Sequence, residues 1–236
     1  MLHRNIGRSF LKRSLYLRYK ISKIMKALVI GATGATGKEL VNLLLENNDY
    51  EAVSIFVRRP IEKSHPKLTE HIVDFSNVAS FQNLIYGDIL FSCLGTTLKD
   101  AGSKEKQWKI DYDIPAEFAA VAKQNKVKSL VLVSSYGASA KSSVYYSMMK
   151  GKLEEYLQEL HFSQYIIFRP GPLIRENTDR LGEKISVKVI KFLNSIGLFK
   201  NLKPIATSFL AEKLVKAPKA LPEGMTILEL NSILKL

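Results

Sequence analysis

Lys26-Ala27-Leu28-Val29-Ile30 runs directly into Gly31-Ala32-Thr33-Gly34-Ala35-Thr36-Gly37, and that turn runs into Lys38-Glu39-Leu40-Val41-Asn42-Leu43-Leu44. The first block is a short buried-strand pattern and the last is a good helix, so the glycines fall where a strand hands over to its crossover helix. Glycines three apart permit a tight turn, let the backbone approach a pyrophosphate closely, and let helix pack on strand. The helix N-terminus adds unpaired N–H groups that attract an anion. Gly31, Thr33, Gly34, Ala35, Thr36 and Gly37 therefore form the predicted cradle for a dinucleotide.

Outward from this turn the chain keeps the same alternation. Strands are predicted at 26–31, 52–58, 70–74, 88–94, 128–134 and 164–169, with a short late one near 226–230. Helices are predicted at 36–47, 77–85, 105–125, 143–160, 185–197 and 207–216. Successive βαβ units with right-handed crossovers imply an α/β protein with a single doubly wound parallel sheet, Rossmann-like, flanked by helices. One domain is expected over 26–236. Its proline-rich part from about 171 to 236 is expected to form a small cap on the substrate side.

The 236 residues are 46% hydrophobic and 24% charged, with 13 Gly and 8 Pro, a balance that excludes collagen-like and disordered chains. No stretch approaches the eighteen or so apolar residues of a membrane span. The one cysteine, Cys93, has no partner within the chain, and His3, His65, His71 and His161 lack metal-ligand spacing. A metal site and a disulfide scaffold are not expected, and a cytoplasmic location is.

The net charge of +13 suggests nucleic acid until it is divided along the chain. Residues 1–25 hold seven Lys and Arg and no acid, leaving 28 basic against 22 acidic residues, a balance of +6, for the remainder. Nucleic-acid binding by the folded body is therefore not expected. Ile6, Phe10, Leu17, Ile21 and Ile24 form one helical stripe among these basic residues. Such a segment suits an over-long or dispensable extension, a packed helix, a peripheral membrane contact or an organellar transit peptide.

Three further strand ends face the predicted crevice. Val57-Arg58-Arg59-Pro60 places two guanidiniums where an NAD-preferring site would place an acid, so Arg58 and Arg59 are expected to clamp a 2′-phosphate and favour NADPH over NADH. Asp74 could contact adenine. Leu94-Gly95-Thr96 brings backbone past the cofactor.

Ser134-Ser135 ends the fifth strand, and Tyr146-Ser147-Met148-Met149-Lys150 opens the next helix. Tyr and Lys four apart share a helix face, so the ammonium can favour phenolate and bring a pKa near ~10 toward neutrality. The spacing alone is not distinctive, since Tyr16/Lys20 and Tyr19/Lys23 also have it. What distinguishes Tyr146/Lys150 is its place just beyond the serine-bearing strand end.

Taken together, GATGATG, VRRP, SCLGTT, VSSYGAS, YSMMKG and FRPGPL resemble the short-chain dehydrogenase/reductase superfamily over about residues 26–216, and within it the atypical, Tat-interacting-oxidoreductase-like branch. The resemblance implies that Tyr146 is the general acid/base, that Lys150 is the ribose-binding and pKa-lowering cation, and that a serine donates to the substrate carbonyl. Ser135 is indicated by its place after the strand and Ser134 by its distance from Tyr146. Arg169 and Pro170 would then lie along the nicotinamide. The implied activity is NADP-dependent hydride transfer to or from a small-molecule carbonyl or alcohol. An NADPH-binding regulatory protein and a nucleotide-sugar epimerase or dehydratase are the alternatives.

Overall fold

Strand β1 (Met25–Ile30) pairs in parallel with β2 (Tyr50–Val57) on one side and β4 (Ile89–Ser92) on the other. Around it stand β3 (Leu68–Ile72), β5 (Ser129–Val133), β6 (Gln164–Arg169) and β9 (Gly224–Glu229), giving a seven-stranded sheet of order β3-β2-β1-β4-β5-β6-β9. Every pairing in it is parallel. The computed structural model describes residues 24–174 and 204–236. The helix predicted at 185–197 and nearly all of segment 1–25 lie outside the described residues.

Alternate residues of each strand supply two cores, one per face. Val29, Ile55, Phe91, Val131 and Phe168 pack with helix Ala35–Glu46 and helix Thr207–Ala220. Leu28, Phe56, Leu90, Leu130 and Ile167 pack under helices Ile114–Gln124 and Tyr145–Glu159. Strands buried on both faces lose the polar alternation of a half-exposed sheet, which explains the continuous apolar runs. Each fully buried Leu, Ile or Phe contributes about 1.5–3 kcal/mol.

Two expectations change. The helix predicted over 105–125 is broken into Lys104–Trp108, a π-helical turn Lys109–Asp113 and Ile114–Gln124. Pro115 is the physical reason: it has no N–H for the Asp111 carbonyl, and its ring crowds that carbonyl, so the chain widens to an i+5 bond from Ile114 N–H to Lys109 O. The expected cap over 171–236 is, in its described second half, part of the body. Strand β9 extends the sheet beside β6, and Leu210, Leu214, Ala217 and Leu228 enter the core. Only the short parallel pair β7 (Leu173–Ile174) and β8 (Ile205–Ala206) stands apart from the sheet.

Candidate functional site

The chain order reverses between β1 and β4, and the crevice beyond their carboxyl ends is where open parallel sheets bind ligands. Gly31 sits there at φ +81, and a Cβ on it would come within 2.5 Å of the Cys93 carbonyl carbon. A Cβ on Gly37 would collide with the Gly31 carbonyl. Both positions need glycine because strand, turn and helix are in backbone contact. Gly34 caps helix Ala35–Glu46 without any side-chain hydrogen bond, and no acid occupies the first turn. The orphan N–H groups of that turn are thus left to an anion, and the cradle fits a pyrophosphate.

Arg58 and Arg59 follow β2 and are exposed. Asp74 is exposed beyond β3, where its carboxylate accepts from Ser76 N–H at 2.9 Å and Ser76 Oγ at 2.7 Å. Those two bonds hold its pKa below the ordinary value.

The loop after β4 is pinned from the π-helical turn. Asp111, 0% exposed, accepts from Thr96 N–H at 2.8 Å, and buried Gln107 donates to Thr96 O at 3.1 Å. Lys150, 1% exposed, donates to Leu94 O at 3.4 Å, and its Nζ stands 6.0 Å from the centre of the Tyr146 ring. Leu94, Thr96, Tyr146 and Lys150 are thereby brought together, with Gly95 exposed between the two pinned peptides.

The electrostatics depart from the expectation that Lys150 lowers the phenol. Burial, and then the Asp111 carboxylate, push Tyr146 well above its usual range. Burial also draws Lys150 down, opposed by Asp111, Glu154 and Cys93. The Cys93 thiol is pushed up to about 12 by burial. The phenol is therefore held protonated.

The two serines separate cleanly. Ser134 is buried, and its Oγ donates to the Glu154 carboxylate. Ser135 is half-buried, and its Oγ makes a single long contact, 3.4 Å to Tyr136 O. Arg169, at the end of β6, donates from its guanidinium to both Glu154 oxygens and to Glu229 at 2.6 Å. Those bonds raise its pKa further. Pro170 offers its carbonyl to Tyr136 N–H at 2.9 Å, tying the serine loop to the end of β6.

Four residues of this arrangement were not singled out in the sequence: Gln107, Asp111, Gly151 and Glu154. Pro115 inside an otherwise helical stretch was the available signal for Asp111. Gly151 lies against the Ser139–Ala140 backbone, which a Cβ would strike. Among the described residues no cluster of His, Cys, Asp and Glu could hold a metal ion, and no helix is long and apolar enough to cross a membrane.

Residues 31–189 match a family model described as NAD(P)H-binding. Protein FMP52, mitochondrial, of Debaryomyces hansenii is 36% identical over 70% of this chain and 74% of its own length. Protein HTATIP2 of Rattus norvegicus is 33% identical over 68% of each chain. The Bordetella bronchiseptica enzyme WbmH, solved with NAD+, shares the fold at a TM-score of 0.65 and 18% identity, over 86% of this chain and 75% of its own. The expected cytoplasmic location is overturned by the relatives, since six fungal proteins among them carry mitochondrial in their names. The chain is an NAD(P)-binding protein of oxidoreductase type, and it belongs to the NAD(P)H-binding family, in the atypical branch of the short-chain dehydrogenase/reductase superfamily.

Proposed function

We propose that this protein is an NADPH-dependent reductase of a small-molecule carbonyl, acting in mitochondria. The observation that carries the reading is the meeting of Tyr146 and Lys150 with the pinned 94–97 loop, across the switch point from the Gly31–Gly37 cradle. A bound nicotinamide supplies the hydride.

In the reducing direction the carbonyl carbon takes the hydride with its electron pair, and the Tyr146 Oη proton passes to the carbonyl oxygen, leaving a phenolate that solvent reprotonates. A phenol kept protonated by burial and by Asp111 suits this direction. Lys150 holds ribose hydroxyls and steadies the phenolate. Ser135 donates to the substrate oxygen, because Ser134 already serves Glu154. Arg58 and Arg59, exposed at the end of β2, receive the 2′-phosphate. Mitochondrial import fits the acid-free, basic and amphipathic residues 1–25 together with the names of the fungal relatives.

Purified protein should consume NADPH, followed at its own absorbance, with at least one aldehyde, ketone or quinone in a broad panel. NADPH binding without turnover on any of them would favour the regulatory alternative.

A further inference from the structure

Arg58 and Arg59 stand exposed at the end of β2, yet the turn that carries them is fastened at two points. Two residues past Arg59, the Ile61 N–H donates to Glu70 Oε2 at 3.0 Å. The Ile61 side chain packs against the core that helix Ala35–Glu46 shares. Lys63 N–H closes back on Ile61 O at 2.9 Å, and Lys63 Nζ donates to Asn42 Oδ1 at 2.7 Å. Asn42 belongs to the helix that the glycine cradle opens. Pro60, between Arg59 and Ile61, fixes its own φ.

Glu70 lies on β3, an edge strand, opposite Ile55 of β2. An acid on an edge strand ordinarily does no more than discourage pairing with another chain. This one reaches back to a main-chain N–H nine residues earlier, and a bond from a backbone N–H to a carboxylate is roughly twice as strong as a neutral one. The turn from Arg58 to Lys63 is thus tied to β3 at Ile61 and to the cradle helix at Lys63. Arginine recognises a phosphate through a rigid planar fork, and the benefit shrinks when the backbone that bears the fork must first be ordered.

We propose that Glu70 is a positioning residue for cofactor choice: by holding the Ile61 peptide it keeps the Arg58–Lys63 turn ordered before the cofactor arrives, so that the two guanidiniums meet the 2′-phosphate without a further loss of backbone freedom. This rests on Arg58 and Arg59 receiving the 2′-phosphate, as in the function proposed above. Glu70 acts through the turn and not on the cofactor itself.

The test is calorimetry of NADPH and of NADH with the full chain. Glu70→Ala frees the Ile61 N–H and should weaken NADPH by about fivefold while NADH stays within about twofold. Glu70→Gln keeps an amide oxygen for that N–H and should restore most of the NADPH affinity. In a chain that already carries Arg58→Ala and Arg59→Ala, adding Glu70→Ala should change neither affinity, because the turn then has no guanidinium to hold. Exchange of the Ile61 amide hydrogen, followed by nuclear magnetic resonance without cofactor, should be slow in the unmodified chain and fast in Glu70→Ala.

Equal losses for the two nucleotides in Glu70→Ala, tighter NADPH binding in Glu70→Gln, or a freely exchanging Ile61 amide in the unmodified chain overturns the proposal. The first would mark general damage and the second a carboxylate acting by its charge on the phosphate. The third needs no variant, so a variant that does not fold still leaves a decision. An unmodified chain that binds both nucleotides equally fails the reading of Arg58 and Arg59 and takes this proposal with it, whereas an NADPH preference that Glu70→Ala leaves intact fails this proposal alone. None of these readouts needs turnover.

Discussion

The carboxylate of Glu154 holds the guanidinium of Arg169 through three hydrogen bonds of 2.6–3.1 Å, joining the middle of the Tyr146/Lys150 helix to the last residue of β6. Glu154 is buried, and the Arg169 side chain is 20% exposed. Removing one partner of such a pair strands the other. Glu154→Ala should therefore destabilise the protein by about 3 kcal/mol, toward the low end for buried pairs because the guanidinium keeps some solvent. Chemical denaturation of the two chains measures this directly. A loss below about 1 kcal/mol would place the pair with ordinary surface bridges.

Cofactor choice is predicted to rest on Arg58 and Arg59. Replacing both with Ala should weaken NADPH binding and leave NADH nearly unchanged, because only the 2′-phosphate is deprived of its forked donors. Calorimetry with the two nucleotides checks it, and equal affinities in the unmodified protein would remove the assignment.

Tyr146→Phe should keep NADPH affinity while turnover falls by roughly 10²–10⁴-fold. Lys150→Ala should weaken both. Tyr145 is the comparison residue: its hydroxyl donates to Lys104 O at 2.6 Å, tying the helix to the neighbouring segment. Tyr145→Phe should cost about 1 kcal/mol of stability by loss of that bond and none of the catalytic fall. Steady-state kinetics that showed equal losses at both tyrosines would assign them to packing.

Burial holds the His71 imidazole, stacked on Phe56 at 4.8 Å, below its ordinary pKa. As pH falls, the unfolded chain takes up this proton before the folded one, so stability present above about pH 6.5 drains away below it. His71→Phe keeps a ring in the stack and removes the titration. Its melting temperature should fall less than that of the unmodified chain between about pH 7.5 and pH 5.5, and parallel curves would show that other groups carry the acid sensitivity.

A chain starting at Met25 should fold and bind NADPH as the full one does, since β1 begins there and its first N–H already bonds Asp49 O at 2.8 Å. Residues 1–25 fused to a fluorescent reporter should carry it into mitochondria in yeast cells. A diffuse cytosolic signal would count against the transit reading.

The fold was legible because the inner strands, packed on both faces, leave largely apolar runs, whereas the edge strands β3, with no buried residue, and β9, with one, carry a weaker signal. The glycine turn was legible for a related reason: Gly31 and Gly37 are each in contact with backbone that tolerates no side chain. The rest of the site was less open to reading, because its polar contacts join distant parts of the chain. Nothing local to Ser134 says that Glu154, twenty residues on, will take its hydroxyl, or that the Arg169 guanidinium will meet the same carboxylate. Gln107 and Asp111, four apart, would share a face of an unbroken helix too, but nothing local to them says that this face meets the two peptides flanking Thr96.

The pairing of Leu173–Ile174 with Ile205–Ala206 has a consequence for how such a protein diverges. Strand β9 rejoins the sheet beside β6, sixty residues later in the chain, so the body is sealed behind whatever lies between. The departing and returning backbones are thereby clipped side by side, apart from the main sheet, at the point where the described chain leaves β6 and comes back to helix Thr207–Ala220. A protein of this build can diverge beyond that clip while Tyr146, Lys150 and the glycine cradle, all on its near side, keep their places.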